Sequence, residues 1–403
     1  MKFKTYRYRW VMLSVFMLIT TINQLLWITY AAITSAAIDY YHVGNLQIGM
    51  LSMSFMIVFI FVSVPASWII DKYGIKIGVG IGAVLTGVFG MLRSFVGNHY
   101  EWALAMQIGI AVGQPFLLNA ITKLSARWFA HQERATATGL ATLSMYIGPL
   151  AGMLLAPFLL KAQGFSGMMN TFGIVSIVGA IIFMIFSKEK PPTPPCHDFQ
   201  EERSLVYDGL KDSLKNKNFI TLLIIFFIGL GVFNSVTTWI EDIVRPRGFT
   251  PDDAGLTGGL MIIGGIIGAL IMPYISDKIQ KRKLFIIIAL IGAFVGLAGI
   301  TFAQNYALLM ISSFVLGYFL LSAGPIGFQF GAEITYPASE GTSNGLLILA
   351  GQISGIGFIF GMEIMKNHVT GSMTKPLIVM LILSFMGFLL TFLLKESPFM
   401  KKQ

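Results

Sequence analysis

Charged residues are scarce in this chain. Asp, Glu, Lys and Arg make up 12% of its 403 residues, whereas 55% are hydrophobic and the mean hydropathy is +0.75. A soluble domain carries roughly 25% charged residues, so the composition excludes a protein that folds in water. Cysteine occurs once, at Cys196, which excludes an internal disulfide bond. We therefore expect an integral membrane protein.

Catalytic and nucleotide-binding motifs are also missing. The sequence has no His-Glu-x-x-His, no pair of cysteines and no Gly-Lys-Ser loop, so a metal site, a cofactor and ATP-driven pumping have no support. The net charge of +9 comes from basic residues spread between apolar runs rather than gathered on one soluble face. Nucleic acid is therefore not an expected partner, and neither is an enzymatic activity.

The chain instead contains long apolar runs. A helix needs about 20 apolar residues to cross the hydrocarbon core of a bilayer. Twelve stretches are long enough, at about residues 10–38, 46–70, 75–96, 101–127, 134–160, 166–187, 218–243, 254–276, 283–304, 306–331, 338–365 and 374–395. The fold class predicted is an all-α membrane protein with twelve transmembrane helices.

The basic residues are distributed unevenly between these spans. If the N-terminus lies inside, 22 of the 28 lysines and arginines fall on that side of the membrane and six on the other. The positive-inside rule then predicts that both termini are cytoplasmic. Short loops without a large external domain favour a bacterial inner membrane, with a eukaryotic plasma membrane as the alternative.

The longest hydrophilic segment divides the spans six and six. It predicts an N-terminal bundle (1–187), a cytoplasmic linker (188–217) that begins with a Pro-rich stretch, and a C-terminal bundle (218–403). Each half also has an acid followed by bases in a short cytoplasmic turn, Asp71 with Lys76 and, 206 residues after Asp71, Asp277 with Arg282. This pattern suits a clamp in which the aspartate pairs with bases and caps a helix end, and plain positive-inside charge is the alternative.

Parallel six-span repeats related by a pseudo-two-fold axis are typical of the major facilitator transporters, which bind substrate between their halves. In the first span, Asn23, Trp27 and Tyr30 fall within a helical arc of roughly 60°, so we expect them to line such a site. An interfacial aromatic belt with an interhelical hydrogen bond is the alternative. Gln114 and Gln352, each near the middle of a span, are expected to face the bundle interior because amides in hydrocarbon need partners; interhelical bonding remains open for both.

The seventh span adds Phe233, Asn234 and, towards its outer end, Glu241 and Asp242. The first two are candidates for the lining of the site. Glu241 and Asp242 lie within reach of arginines, which favours an external salt bridge or gate over a proton-coupling role. Arg93 and Glu363 are expected at outer ends, solvated or paired.

A long string across the tenth and eleventh spans is the most specific feature of the chain. It runs from Gly327-Phe-Gln329 through Glu333-Ile-Thr-Tyr-Pro-Ala-Ser-Glu340-Gly-Thr-Ser to Gln352. This string resembles the feline leukaemia virus subgroup C receptor family, which is solute carrier family 49 of the major facilitator transporters. The Asn23-x-x-x-Trp27-x-x-Tyr30 pattern and the stretch from Gln114 to Phe129 are similar to the same family. Glu333 and Glu340 are accordingly expected in its structural or gating motif.

The resemblance implies a carrier of choline, ethanolamine or, for some members, haem. Positions that match the family's aromatic box are Trp27, Gln114 and Gln352. The family's seventh-span tyrosine aligns with Phe233 and its tenth-span glutamate with Gln329, while polar residues of its fifth span fall near Tyr146. We expect a monomeric secondary transporter that works by alternating access on a small polar or cationic metabolite. Three alternatives stay open: a carrier of an amino acid, a nucleoside or haem; proton symport through Glu241 or Asp242; and a receptor without net flux.

Overall fold

The computed structural model describes residues 5–193, 195, 213–336 and 340–397. The described residues form helices with no strand among them, as predicted. The chain divides into two compact units, Met1–Gln200 and Glu201–Gln403. Most of the predicted linker, residue 194 and residues 196–212, lies outside the described residues.

The first unit contains seven described helices, of which two are short. They are α1 (Tyr8–Ile28), α2 (Thr34–Tyr41), α3 (Asn45–Tyr73), α4 (Ile75–Arg93), α5 (Tyr100–Leu118), α6 (Ile121–Trp128) and α7 (His131–Phe186). The second unit, again counting only described residues, has α8 (Lys217–Thr238), α9 (Ile240–Val244), α10 (Pro251–Ile279), α11 (Arg282–Phe302), α12 (Tyr306–Thr335), α13 (Glu340–Met365) and α14 (Thr374–Thr391). A 3₁₀ turn, Arg245–Arg247, follows α9.

Eleven helices in the described parts of the chain are long and apolar enough to cross a membrane. One of them, within α7, is interrupted at Gly164, where φ is 70° and ψ is 177°. A Cβ on Gly148 would meet the carbonyl oxygen of Thr21, and one on Gly179 would meet the side chain of Ile22. In an unbroken helix these two glycines would be about 46 Å apart, so α7 has two arms that both pack on α1. The predicted count of twelve crossings requires each arm to cross, and it stays a prediction.

The first span is shorter than predicted. The sequence predicts a helix over residues 10–38, but α1 ends at Ile28 and a separate helix begins at Thr34. A helix of 29 residues would extend about 43 Å, whereas the 21 residues of α1 extend about 31 Å, which is already the thickness of the hydrocarbon core. Tyr30 therefore lies in the turn after α1 and not on the same helical face as Asn23 and Trp27.

Close helix crossings depend on glycine in both units. A Cβ on Gly82 of α4 would lie 2.8 Å from the carbonyl oxygen of Gly113 in α5, and a Cβ on Gly113 would lie 2.8 Å from that of Gly82. In the second unit, a Cβ on Gly268 of α10 would collide with the carbonyl of Tyr318 in α12. Small residues thus let the backbones of neighbouring spans touch.

Candidate transport site

Asn23 is fully buried among helices of the first unit. Its Nδ2 donates to Oγ1 of Thr86 (3.0 Å) and to the carbonyl oxygen of Ile110 (3.2 Å), and its Oδ1 accepts from Nε2 of Gln24 (3.4 Å). Both amide protons and the carbonyl are therefore used, and they join α1 to α4 and α5. This geometry is the interhelical hydrogen bonding left open from the sequence, and it makes Asn23 a support for the packing of α1.

Trp27 is fixed by its indole nitrogen. Nε1 donates to the carbonyl oxygen of Ser52 in α3 at 3.2 Å, and 8% of the residue is exposed. Because the hydrogen bond fixes the plane of the ring, Trp27 presents a pre-oriented aromatic surface. In the second unit, Trp239 makes a similar bond, from Nε1 to the carbonyl oxygen of Ile359 at 3.0 Å, but it is fully buried.

Tyr30 lies in an aromatic cluster just beyond the end of α1. Its hydroxyl is 3.3 Å from that of Tyr41 and 3.9 Å from the sulfur of Met169. Burial, followed by the proximity of Tyr30, raises the pKa of the Tyr41 phenol, so the Tyr41 hydroxyl stays protonated. Only 1% of the Tyr30 surface is exposed, so this residue packs within the first unit.

Arg93 is a buried cation that the sequence placed at a solvated or paired outer end. It is 2% exposed, and its Nη1 donates to Oε1 of the neutral amide of Gln107 at 2.5 Å and to the carbonyl oxygen of Leu26 at 3.4 Å. The guanidinium carbon lies 5.4 Å from the centre of the Tyr30 ring, while Nη2 has no hydrogen-bond partner among the described residues. Gln107 in turn donates to the carbonyl oxygen of Leu26 at 3.1 Å. The amide thus bridges Arg93 to α1.

Three predicted site residues differ from these because their polar groups have no hydrogen-bond partner in the described part of the chain. Gln114 in α5, Tyr146 in α7 and Gln352 in α13 make no hydrogen bond to any residue that the structure describes, while Gln114 is largely buried and the other two are half-buried. All three lie inside helices long and apolar enough to span the membrane. An amide without a partner in hydrocarbon costs several kcal/mol, so these groups need water or a polar ligand.

The remaining candidates of the second unit are held within it. Asn234 donates from Nδ2 to the carbonyl oxygen of Gly351 at 3.3 Å, one residue before Gln352. Phe233 is half-buried on the same helix, α8. Gln329 is exposed and donates to Oε1 of Glu333 at 3.1 Å, so it belongs to the ionic group around Arg282.

Asp242 is the centre of a buried ionic cluster at the end of α9. Its Oδ1 lies 2.8 Å from Nη2 of Arg245 and 2.8 Å from Nζ of Lys366, and the residue is fully buried. Arg245 also lies 3.9 Å from Glu241, and Lys366 lies 3.9 Å from Glu363. The salt bridge predicted for this end of the span is present, with Lys366 as a partner that the sequence did not indicate.

The two acid–base turns form ion pairs within their own units. Asp71 pairs with Lys123 at 3.1 Å, and Asp277 pairs with Arg282, whose Nη2 lies 3.3 Å from Oε1 of Glu333. The side chain of Glu340 lies outside the described residues. In the second half the aspartate pairs with the expected base of its own turn, Arg282, whereas in the first half Asp71 pairs with Lys123 of α6 and not with Lys76.

The helix ends at these turns are capped by other acids, which sequence reasoning missed. The backbone N–H of Lys76 donates to Glu189, and those of Arg282 and Lys283 donate to Glu396. Both glutamates follow a lysine at the end of a span and precede a serine or lysine and a proline; this repeat was the signal available in the sequence. A further basic residue, Arg247, donates to the carbonyl oxygens of Ile300 and Thr301 at the end of α11, and burial lowers the pKa of its guanidinium.

Comparison with known proteins agrees with this architecture. The sequence pattern of the Major Facilitator Superfamily matches residues 13–359. Among solved structures, a bacterial homolog of the human lysosomal transporter Spinster superposes with a TM-score of 0.77 over 97% of this chain and 98% of that one, at 14% identity. The nucleoside transporter NupG gives a TM-score of 0.72 over 95% and 99% of the two chains, also at 14% identity. At such identities the likeness concerns the fold.

The sequence relatives indicate a particular family within this superfamily. Choline/ethanolamine transporter FLVCR1 of Felis catus is 30% identical over 410 residues, which cover 96% of this chain and 73% of the relative. FLVCR2 of Homo sapiens is 28% identical over 91% of this chain and 74% of the relative. Solute carrier family 49 member A3 of Xenopus tropicalis is 29% identical over 88% and 77%.

These matches, with the helical fold, define a major facilitator transporter, an integral membrane protein and not an enzyme. Within that superfamily the chain belongs to the feline leukaemia virus subgroup C receptor family, solute carrier family 49. The resemblance predicted from the string between Gly327 and Gln352 is confirmed.

Proposed function

We propose that this protein carries a small organic cation of the choline or ethanolamine type across a membrane, by alternating access of its two units. One observation carries the proposal: Gln114 of the first unit and Gln352 of the second hold amides inside membrane-spanning helices without a partner among the described residues. The names of the sequence relatives support the class of substrate.

The chemistry of the available groups suits such a cation. A trimethylammonium group has no N–H to donate, so an aromatic face is its best partner, at about 0.5–2 kcal/mol per ring. Trp27 and Phe233 supply rings in the two units, and Tyr146 adds a ring whose hydroxyl bonds to no described residue. The amide oxygens of Gln114 and Gln352 accept from the hydroxyl of choline or from the ammonium of ethanolamine. Asn23 and Tyr30 are left out of this set because their polar groups bond within the first unit.

Neutral ligands also suit a carrier that must release its cargo. A carboxylate against a cation in a dry site would hold it strongly, because the interaction grows as the dielectric constant falls. The rings and amides named above carry no formal charge. Binding is then strong enough for selection and weak enough for turnover.

Uptake by proteoliposomes tests the function. Purified protein reconstituted into liposomes should equilibrate labelled choline faster than protein-free liposomes do, and unlabelled ethanolamine should compete. Binding without uptake would identify a receptor. Amino acids, nucleosides and haem are the competing ligands to include, first as stabilisers in a thermal-unfolding screen, since a ligand that binds only the folded state raises its stability. Stabilisation by one of these, with none by choline, would overturn the substrate class.

Proton symport is a second candidate because Oδ2 of the buried Asp242 has no hydrogen-bond partner among the described residues. It predicts that an acid-outside pH gradient drives choline to accumulate above equilibrium, and that Asp242→Asn abolishes this accumulation while retaining exchange of labelled for unlabelled choline. Equal final uptake with and without the gradient would leave a uniporter, which we favour because two bases already contact Oδ1.

A further inference from the structure

A cavity of about 300 Å³ lies in the first unit at the end where α1 begins. Its walls are three aromatic rings, Tyr6, Tyr8 and Trp128, together with Pro191 and Pro192. The rings are held in place: the hydroxyl of Tyr8 donates to the carbonyl oxygen of Phe186 at 2.7 Å, and the Tyr8 and Trp128 ring centres are 6.1 Å apart. The cavity is therefore built from three separate parts of the chain, at the start of α1, in α6 and after α7.

Two lysines make this cavity positive. Lys188 and Lys190 line it, both are exposed, and neither has a carboxylate partner among the described residues. The ammonium of Lys188 instead lies 4.2 Å from the centre of the Tyr8 ring. The indole N–H of Trp128 is buried and has no acceptor in the described part of the chain. The cavity thus offers two cations without a carboxylate among its lining residues.

The cavity lies where the apolar end of α7 meets the polar segment that follows it. Ile185 and Phe186, the last residues of α7, are 68% and 45% exposed, and Lys188 follows after one residue, Ser187. Exposed apolar residues at the end of a membrane-spanning helix face acyl chains, and tyrosine, tryptophan and lysine beyond them lie at the depth of lipid headgroups. A volume of 300 Å³ is at the small end of ligand pockets, which suits a headgroup whose acyl chains stay outside.

We propose that this cavity binds the phosphate headgroup of an anionic phospholipid in the leaflet that contains the start of α1. Lys188 and Lys190 contact the phosphate, and the acyl chains lie along the exposed end of α7. Basic pockets beside transmembrane helices are known to take such headgroups, with about 1 kcal/mol from each lysine. The site is separate from the transport residues and does not depend on the identity of the transported cation.

Native mass spectrometry of the purified protein tests the proposal. The protein in detergent is titrated with phosphatidylglycerol and, separately, with phosphatidylcholine of the same acyl chains. We expect phosphatidylglycerol to bind more strongly, and the Lys188→Gln/Lys190→Gln double variant to bind it at least about ten-fold more weakly. The Lys188→Arg/Lys190→Arg variant should retain binding because the charges remain.

The matched control removes two other lysines from the same end of the unit. Lys72 also lies over aromatic rings, at 4.7 Å from the centre of Trp68, and neither it nor Lys76 lines the cavity. Lys72→Gln/Lys76→Gln should therefore bind phosphatidylglycerol as the wild type does. Equal loss in both double variants, or no preference between the two lipids, would overturn the site. Displacement of the lipid by glycerol 3-phosphate or inorganic phosphate at the same concentration would assign the cavity to a soluble anion and overturn the lipid as its occupant.

Discussion

The carboxylate of Glu189 accepts a hydrogen bond from the backbone N–H of Lys76, with 2.7 Å between Oε2 and the nitrogen, at the first turn of α4. In the second unit, Oε1 of Glu396 accepts from the backbone N–H groups of Arg282 (3.0 Å) and Lys283 (3.2 Å) at the first turn of α11. The first N–H groups of a helix have no partner within it, and an anion there also favours the positive end of the helix dipole. In each unit a glutamate that follows the last long helix is thus bonded to the start of the third long helix.

The backbone before each cap follows the same repeat. Gly74 and Gln280, 206 residues apart, precede α4 and α11 and have φ values of 94° and 56°. A Cβ on Gly74 would collide with the carboxylate of Glu189, whereas Gln280 tolerates the left-handed conformation that ends α10. Glycine is therefore needed only in the first unit, where the acid lies against the backbone.

We expect removal of either cap to lower stability. Glu189→Ala and Glu396→Ala should each reduce the free energy of unfolding by about 0.5–2 kcal/mol, as other helix caps do, and Glu189→Gln should lose less because its amide oxygen still accepts. Thermal unfolding of the purified protein measures this. Glu101→Ala is the control. Glu101 lies exposed in the first turn of α5, and its carboxylate accepts no hydrogen bond from the backbone N–H groups of that turn. A Glu101→Ala loss as large as that of Glu189→Ala would contradict the role of the hydrogen bond.

The contrast between Asn23 and Gln114 shows how far the sequence determines the site. Both are amides in apolar spans, and the sequence predicts for both either a lining role or an interhelical bond. In the structure Asn23 bonds to Thr86 and Ile110, whereas Gln114 bonds to no described residue. The apolar runs predict the spans because span length depends only on local composition. Which amide is satisfied depends on residues 60 to 90 positions away, and a single sequence does not determine those contacts.

Removing one partner of a buried ion pair should lower the free energy of unfolding more than removing one partner of an exposed pair. Lys366→Met would leave Oδ1 of Asp242 with Arg245 as its one cation, so the loss of unfolding free energy should stay below the about 3–5 kcal/mol that an uncompensated buried charge costs. The Asp242→Asn/Lys366→Met double variant should lose less than the sum of its single variants. Thermal unfolding in detergent measures the coupling. The pair of Asp71 and Lys123, with side chains 46% and 25% exposed, is the control, and Asp71→Asn should cost about 0–1 kcal/mol. Additive losses at Asp242 and Lys366 would contradict the coupling.

Two substitutions of Trp27 test the contribution of the aromatic ring separately from that of the indole N–H. Trp27→Phe keeps an aromatic face and loses the bond to Ser52, so it should retain most of the choline affinity. Trp27→Leu removes the face and should weaken choline about 2- to 30-fold. Binding is measured by the choline dependence of thermal unfolding. Trp239→Phe loses a comparable bond to Ile359 at a fully buried position and should leave choline affinity unchanged. Full affinity in Trp27→Leu would exclude Trp27 from the site.

The amides of Gln114 and Gln352 should discriminate between two substrates that differ in the number of hydrogen bonds they donate. Ethanolamine carries an ammonium with three N–H donors, whereas choline has one hydroxyl and a methylated nitrogen. A hydrogen bond to a charged group contributes about 1.5–3 kcal/mol and a neutral one about 0.5–1.5 kcal/mol. Gln352→Met and Gln114→Met should therefore weaken ethanolamine by about 10- to 150-fold and choline by only about 2- to 10-fold.

Competition against labelled choline in proteoliposomes measures both affinities, and the ratio between them is the quantity that decides. Gln107→Met is the control, because Gln107 lies on the same helix as Gln114 but its amide bonds to Arg93 and Leu26. That variant should lose thermal stability and keep the wild-type ratio, since its amide supports the packing of α1 and does not reach the substrate. A change of ratio in Gln107→Met, or an unchanged ratio in both other variants, would show that the unpaired amides meet water and not the transported cation.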